Sequence, residues 1–121
     1  MNNLQEITIY TDGACTGNPG PGGYGAVMNQ GKHRNELSAG FRKTTNNRME
    51  MMAVIESLKA LKNRRQVVLY SDSRYVVDAI NKGWAKSWQA NNWVLKSKSK
   101  AKNPDLWKLM LEQLDRHDVD I

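Results

Sequence analysis

The stretch TNNRMEMMAVIESLKALK, residues 45–62, limits the possible folds more than any other part of the chain. At 100° per residue, Met51, Val54, Ile55, Leu58 and Leu61 fall on one arc, with Glu56 and Lys59 outside it, which predicts an amphipathic helix. Alternating or β-branched stretches precede it at residues 4–12, 22–29 and 32–41, with an Asn29-Gln30-Gly31 turn signal between the last two. A further strand follows at 66–71, then a helix over 73–82. Asn103-Pro104-Asp105 predicts the start of another helix reaching about Leu114, and a last strand opens at Asp118. Three antiparallel strands followed by helix and strand imply a mixed α/β sheet. The crossover through residues 45–62 returns strand 66–71 parallel to an earlier strand, with right-handed connection. At 121 residues the chain makes a single domain, residues 1–121, with one hydrophobic core.

GPGGYG, residues 20–25, matches G-x-G-x-x-G letter for letter. A dinucleotide site needs a strand directly before the glycines and a helix opened by them. Here the preceding strand ends too early, and the residues after Gly25 continue as strand and turn. The glycines are expected instead to let the backbone bend tightly and approach a neighbour closely.

If strand 66–71 lies beside the first strand, Asp12 and Asp72 close neighbouring strands, and Glu50 sits in the first turns of the intervening helix. Each has an ordinary alternative: Asp12-Gly13 as a turn, Asp72 as the N-cap of helix 73–82, Glu50 as the reach-back acid of a capping box begun by Asn47. Jointly, three anions without nearby lysines repel one another unless a cation holds them. Oxygen ligands of this kind suit Mg²⁺, an ion commonly recruited to phosphoryl transfer.

The net charge is +6, and it is unevenly spread. Residues 82–102 hold six lysines and no acid, interleaved with Trp84, Trp88 and Trp93. Lysines neutralise phosphates while exposed rings stack on sugars or bases, so this segment is expected to bind a polyanion, with at least one tryptophan packed inside. The single cysteine, Cys15, excludes an internal disulfide framework and predicts a reducing, cytoplasmic setting. No apolar run reaches the length of a membrane span, so no membrane partner is expected.

The segments YTDGACTGNPGPGGYGA, TTNNRMEMMA and YSDSRYVVDAINKGW resemble the three motif blocks of ribonuclease H type 1, in its bacterial form, and NPDLW resembles the start of that family's next helix. The resemblance implies a five-stranded sheet whose first three strands are antiparallel and whose fourth and fifth run parallel to the first, flanked by helices. It implies an endoribonuclease that hydrolyses the RNA strand of RNA–DNA hybrids with two Mg²⁺ ions, Mn²⁺ being a substitute, leaving 3′-hydroxyl and 5′-phosphate ends. Asp12, Glu50 and Asp72 match three of the family's four metal-binding carboxylates. One ion would activate the attacking water and the other stabilise the leaving oxygen. Gly13, Cys15, Asn18, Asn46 and Asn47 match residues that read the hybrid across its minor groove, and Arg74 stands where the family often carries a substrate-contacting Gln. Lys43, Thr45 and Asn103 match a clamp on a DNA phosphate; Lys43 replaces a frequent Arg, giving a point charge for a bidentate fork. Trp84, Trp88 and Trp93, with Lys86, Lys96 and Lys98, match a basic protrusion that holds the DNA strand.

In the family the last strand continues into a loop carrying a catalytic histidine and a helix bearing the fourth carboxylate. His33, His117, Asp115, Asp118 and Asp120 do not match those positions. The resemblance therefore implies a C-terminally shortened domain with an incomplete last strand, or a site completed by a partner. It predicts a monomer when complete, with association through the unfinished edge. The alternative function is a hybrid- or duplex-binding module without turnover.

Overall fold

A computed structural model describes residues 6–95 and 97–121; Lys96 and the opening residues of the expected first strand lie outside them. The elements are β1 (Ile7–Cys15), β2 (Gly20–Gln30), β3 (His33–Thr44), α1 (Asn46–Lys59), β4 (Gln66–Ser71), α2 (Arg74–Asn81), α3 (Trp84–Ala90), α4 (Pro104–Arg116) and β5 (Asp118–Asp120). They form one sheet in the order β3-β2-β1-β4-β5, with β1–β2 and β2–β3 antiparallel and β1–β4 and β4–β5 parallel. This is the mixed sheet expected from the sequence.

Several boundaries differ. The first strand runs on to Cys15, so Asp12 lies inside it, paired with Gly25, and does not close it. The second strand, expected over 22–29, starts two residues earlier, so that all of GPGGYG lies in the opening half of β2. The lysine- and tryptophan-rich segment contains the helix α3.

Thr45 starts α1: its extended backbone (φ −126°, ψ 161°) brings its hydroxyl to accept from the Arg48 N–H at 3.3 Å. The arc of Met51, Val54, Ile55 and Leu58 is fully buried. Met49 and Ala53 are buried as well, because α1 packs against both the sheet and α4. Ile7, Ile9, Ala26, Met28, Val67 and Leu69 supply the sheet's side of the core. The alternate residues point the other way, as strand periodicity requires. Tyr10 and Tyr70, register partners on β1 and β4, stack there with ring centroids 5.1 Å apart and stay about half exposed.

Gly13 marks the closest approach of β1 to α1. A methyl group on its Cα would stand 2.5 Å from the Met49 carbonyl carbon and 2.6 Å from the Glu50 nitrogen.

At the opposite end, His117 is only 2% exposed. Its Nδ1 accepts from the Arg65 N–H at 3.0 Å, which leaves Nε2–H to donate to the Leu58 carbonyl at 3.1 Å. Both bonds require the neutral ring. Burial lowers its pKa from the ordinary value, the Leu58 carbonyl opposes this, and Arg116, Arg64 and Arg65 lower it further. Because the unfolded chain binds this proton more readily, the associated stability is present above the ordinary histidine pKa near 6.5 and is lost as pH falls below it. Denaturation midpoints are expected to drop from about pH 6.5 downward, and His117→Gln to flatten that part of the profile.

Candidate active site and nucleic-acid interface

The register of β1 against β4 pairs Thr11 with Ser71, which brings Asp12 and Asp72, the residues that follow them, to the same level of the sheet. The tight crossing at Gly13 delivers Glu50 beside them. None of the ordinary roles holds. Asp12-Gly13 is strand rather than turn. Ser73, not Asp72, caps α2, its hydroxyl accepting from the Val76 N–H at 3.1 Å. The capping position three residues after Thr45 is Arg48, so Glu50 closes no capping box. Three carboxylates thus lie at one end of the sheet, and none of them caps a helix.

The electrostatics of Glu50 reflect its surroundings. Desolvation raises the Glu50 carboxyl above its ordinary pKa, a hydrogen bond with the Ser73 side chain partly counters this, and the negative charges of Asp12 and Asp72 raise it again. A divalent cation between such groups would relieve both the desolvation and the repulsion. The donor set, all hard carboxylate oxygen, fits Mg²⁺ or Mn²⁺. As placed, however, no three His, Cys, Asp or Glu side chains among the described residues are close enough together to grip one ion.

The residues expected to read a groove cluster at the other side of Gly13. The Asn46 Oδ1 accepts from the Cys15 N–H, and the Asn18 Oδ1 accepts from the Asn46 N–H, both at 3.1 Å. Loop 16–19 is thereby tied to the start of α1. Each of these amides spends its oxygen inside the protein. The Cys15 N–H is spent too, so that residue has only its carbonyl to offer. The Cys15 thiol faces the Gly20 and Thr44 carbonyls, at 3.3 and 3.2 Å, as a small packed side chain. Asn47 and Arg74 are exposed on the first turns of α1 and α2.

Thr45 and Asn103 are brought together by a residue that sequence reasoning passed over. The Arg48 guanidinium grips Asp105 through both arms, at 3.1 and 2.8 Å, and one arm also donates to the Asn103 Oδ1 at 3.1 Å. Arg48 holds the Asp105 carboxyl below the usual range. Asn103 sits in the left-handed region (φ 56°, ψ 43°), which Asn tolerates, and makes no capping bond to its own helix. Caps of this kind are worth about 0.5–2 kcal/mol, and an exposed ion pair about 0.2–1 kcal/mol. Lys43 is exposed near the end of β3.

The tryptophans divide by role. Trp88 and Trp93 pack against the core; Trp88 stacks on Tyr75 at 6.5 Å and meets Trp107 edge-on at 5.9 Å. Trp107, fully buried, donates its Nε1–H to the Tyr75 hydroxyl at 2.9 Å. Only Trp84 of the three is exposed, at 42%, with the Lys82 Nζ 5.2 Å from its ring centroid. Lys98 is exposed. A groove of about 780 Å³ between α3 and α4 includes Lys86, Trp93, Lys108 and Glu112. The carboxylates do not line it. Among the described residues no helix is long and apolar enough to cross a membrane.

The family model described as RNase H matches residues 4–121. A protein named Ribonuclease H from Syntrophus aciditrophicus (strain SB) is 60% identical over 115 residues, which are 95% of this chain and 66% of the relative. Among solved structures, LC9-RNase H1, described as a type 1 RNase H with the type 2 active-site motif, superposes with a TM-score of 0.83 at 29% identity, covering 99% of this chain and 63% of that one. LC11-RNase H1, solved in complex with an RNA/DNA hybrid, superposes at 0.57 with 26% identity, covering 94% and 83%. The chain thus spans slightly less than two thirds of the length of the Syntrophus relative and of LC9-RNase H1.

Proposed function

Because this chain belongs to the ribonuclease H family, we propose that it hydrolyses the RNA strand of RNA–DNA hybrids, leaving 3′-hydroxyl and 5′-phosphate ends. One observation carries the reading: Asp12, Glu50 and Asp72 lie at the same end of the sheet, where β1, β4 and α1 come together, and none of them caps a helix. These residues would hold Mg²⁺, with Mn²⁺ as substitute. When bound, such ions lower the pKa of a coordinated water and neutralise charge developing on the phosphoryl group.

The chain's own residues supply binding and orientation. Asn18 and Asn46, with their oxygens engaged internally, present amide donors toward a minor groove, with Asn47 beside them. Gly13 keeps β1 close enough to α1 for the groove-reading residues to adjoin the carboxylates. Lys43, Thr45 and Asn103 take one DNA phosphate. Trp84, Lys86 and Lys98 hold the DNA strand farther along; Trp88 and Trp93 support them from within. Lys98→Ala is expected to weaken hybrid binding mainly at low salt and to reduce the slope of log affinity against log salt by about one. An unchanged slope would remove Lys98 from the interface.

The separation of the three carboxylates favours a second reading, a module that binds hybrid without cutting it. Incubating the chain with end-labelled hybrid, RNA duplex and DNA duplex, in Mg²⁺ or Mn²⁺, separates the two. RNA-strand products with extendable 3′-hydroxyls, from hybrid alone, support the nuclease. Tight hybrid binding with no product in either ion supports the module, and absence of hybrid binding contradicts both.

A further inference from the structure

The bridge from Arg48 to Asn103 does more than join two helices. A side-chain amide has an accepting and a donating end, and either can face a ligand. Here the guanidinium, which only donates, fixes Asn103 with its oxygen inward at 3.1 Å. The Nδ2 donors are then directed away from Arg48, and among the described residues they have no protein partner. The other guanidinium contacts, bidentate to Asp105, stop Arg48 from turning away. Asn103 makes no capping bond to its own helix, so its side chain is available to this arginine. The backbone of the same residue treats Thr45 alike: the Arg48 N–H donates to the Thr45 hydroxyl oxygen, leaving the hydroxyl proton free to donate.

We infer that Arg48, held by Asp105, is a positioning residue that sets Asn103 as a pure hydrogen-bond donor toward a phosphate of the DNA strand. The inference rests on the proposed hybrid-binding reading and adds to it the residue that gives the clamp its polarity. Arg48 itself touches no substrate. An amide free to rotate would present its oxygen to the phosphate part of the time; the guanidinium removes that state.

The test is hybrid binding by the chain without catalysis, in Ca²⁺, using DNA strands in which one phosphate at a time is a neutral methylphosphonate. With the natural sequence, neutralising the clamped phosphate is expected to weaken binding roughly tenfold or more, the scale of a charge-assisted hydrogen bond. In Arg48→Met that penalty should shrink toward none while the other phosphates keep theirs, and Arg48→Lys, which retains one donor, should restore part of it. A merely structural role would weaken binding at every phosphate alike. Asn103→Asp guards against a misfolded arginine variant: it is isosteric, keeps an oxygen for Arg48, and turns the outward donor into a negative acceptor. It should bind hybrid at least tenfold more weakly with an unchanged melting temperature. The inference is overturned if Arg48→Met keeps the full penalty at the same phosphate, or if Asn103→Asp binds as the natural chain does. Failure of the natural chain to bind hybrid at all would overturn the functional reading along with it.

Discussion

Gly13→Ala is expected to destabilise the protein by about 1–3 kcal/mol and to remove hybrid cleavage with it. The added carbon would stand 2.5 Å from the Met49 carbonyl carbon and 2.6 Å from the Glu50 nitrogen, both backbone atoms that cannot rotate aside. Either β1 or the first turns of α1 must move, and each carries one of the carboxylates. Relaxation therefore costs packing among Ile9, Met51 and Val54 or separates Asp12 from Glu50. Equilibrium denaturation and a cleavage assay on the same sample would show both losses. Full stability with full cleavage would mean that the crossing of β1 and α1 is looser than the structure has it.

Glu50→Gln should have opposite effects on stability and on cleavage. The carboxylate is disfavoured by desolvation and by Asp12 and Asp72, so its neutral isostere should raise the melting temperature of the metal-free protein at neutral pH. The sign follows from linkage. A carboxyl with a raised folded pKa binds its proton more readily folded than unfolded, so its contribution is most favourable below the unfolded value. That contribution declines as pH rises through the folded value. The advantage of Gln should therefore be full at neutral pH and fade as acid protonates Glu50. Cleavage should meanwhile fall by roughly 10²-fold or more, the scale of losing one preorganised electrostatic group. Stability gained where activity is lost is the mark of a group kept for function. A lower melting temperature in Glu50→Gln would mean that the carboxylate serves the fold instead.

How much of this was legible in the sequence depends on the range over which each feature is determined. Strand β4 falls at residues 66–71, as its β-branched run requires, and α1 is centred on the arc of Met51, Val54, Ile55 and Leu58. Those patterns are local. From sequence Asp12 reads as a strand end because Asp-Gly reads as a turn, whereas in the fold Gly13 allows the close passage of α1. Helix α3 gave little signal: its N-cap is Gly83 in the left-handed region, with no side-chain cap. The roles of the tryptophans depend on Tyr75 and Trp107, which the sheet and α4 bring to them from a distance. Arg48 and Asp105 stand 57 residues apart, and no periodicity links two opposite charges at that separation. Convergence of the three carboxylates could be anticipated from the crossover rule, and their freedom from capping only from Thr45 and Ser73 seen in place.

The most direct test of the central claim is a comparison of the natural chain with Asp12→Asn on an RNA–DNA hybrid labelled in the RNA strand, with Mg²⁺ present and hybrid affinity measured in parallel. Cleavage by the natural chain and its loss in Asp12→Asn, at similar affinity, is the result expected if Asp12, Glu50 and Asp72 form the reaction centre. Equal cleavage by both chains would contradict it.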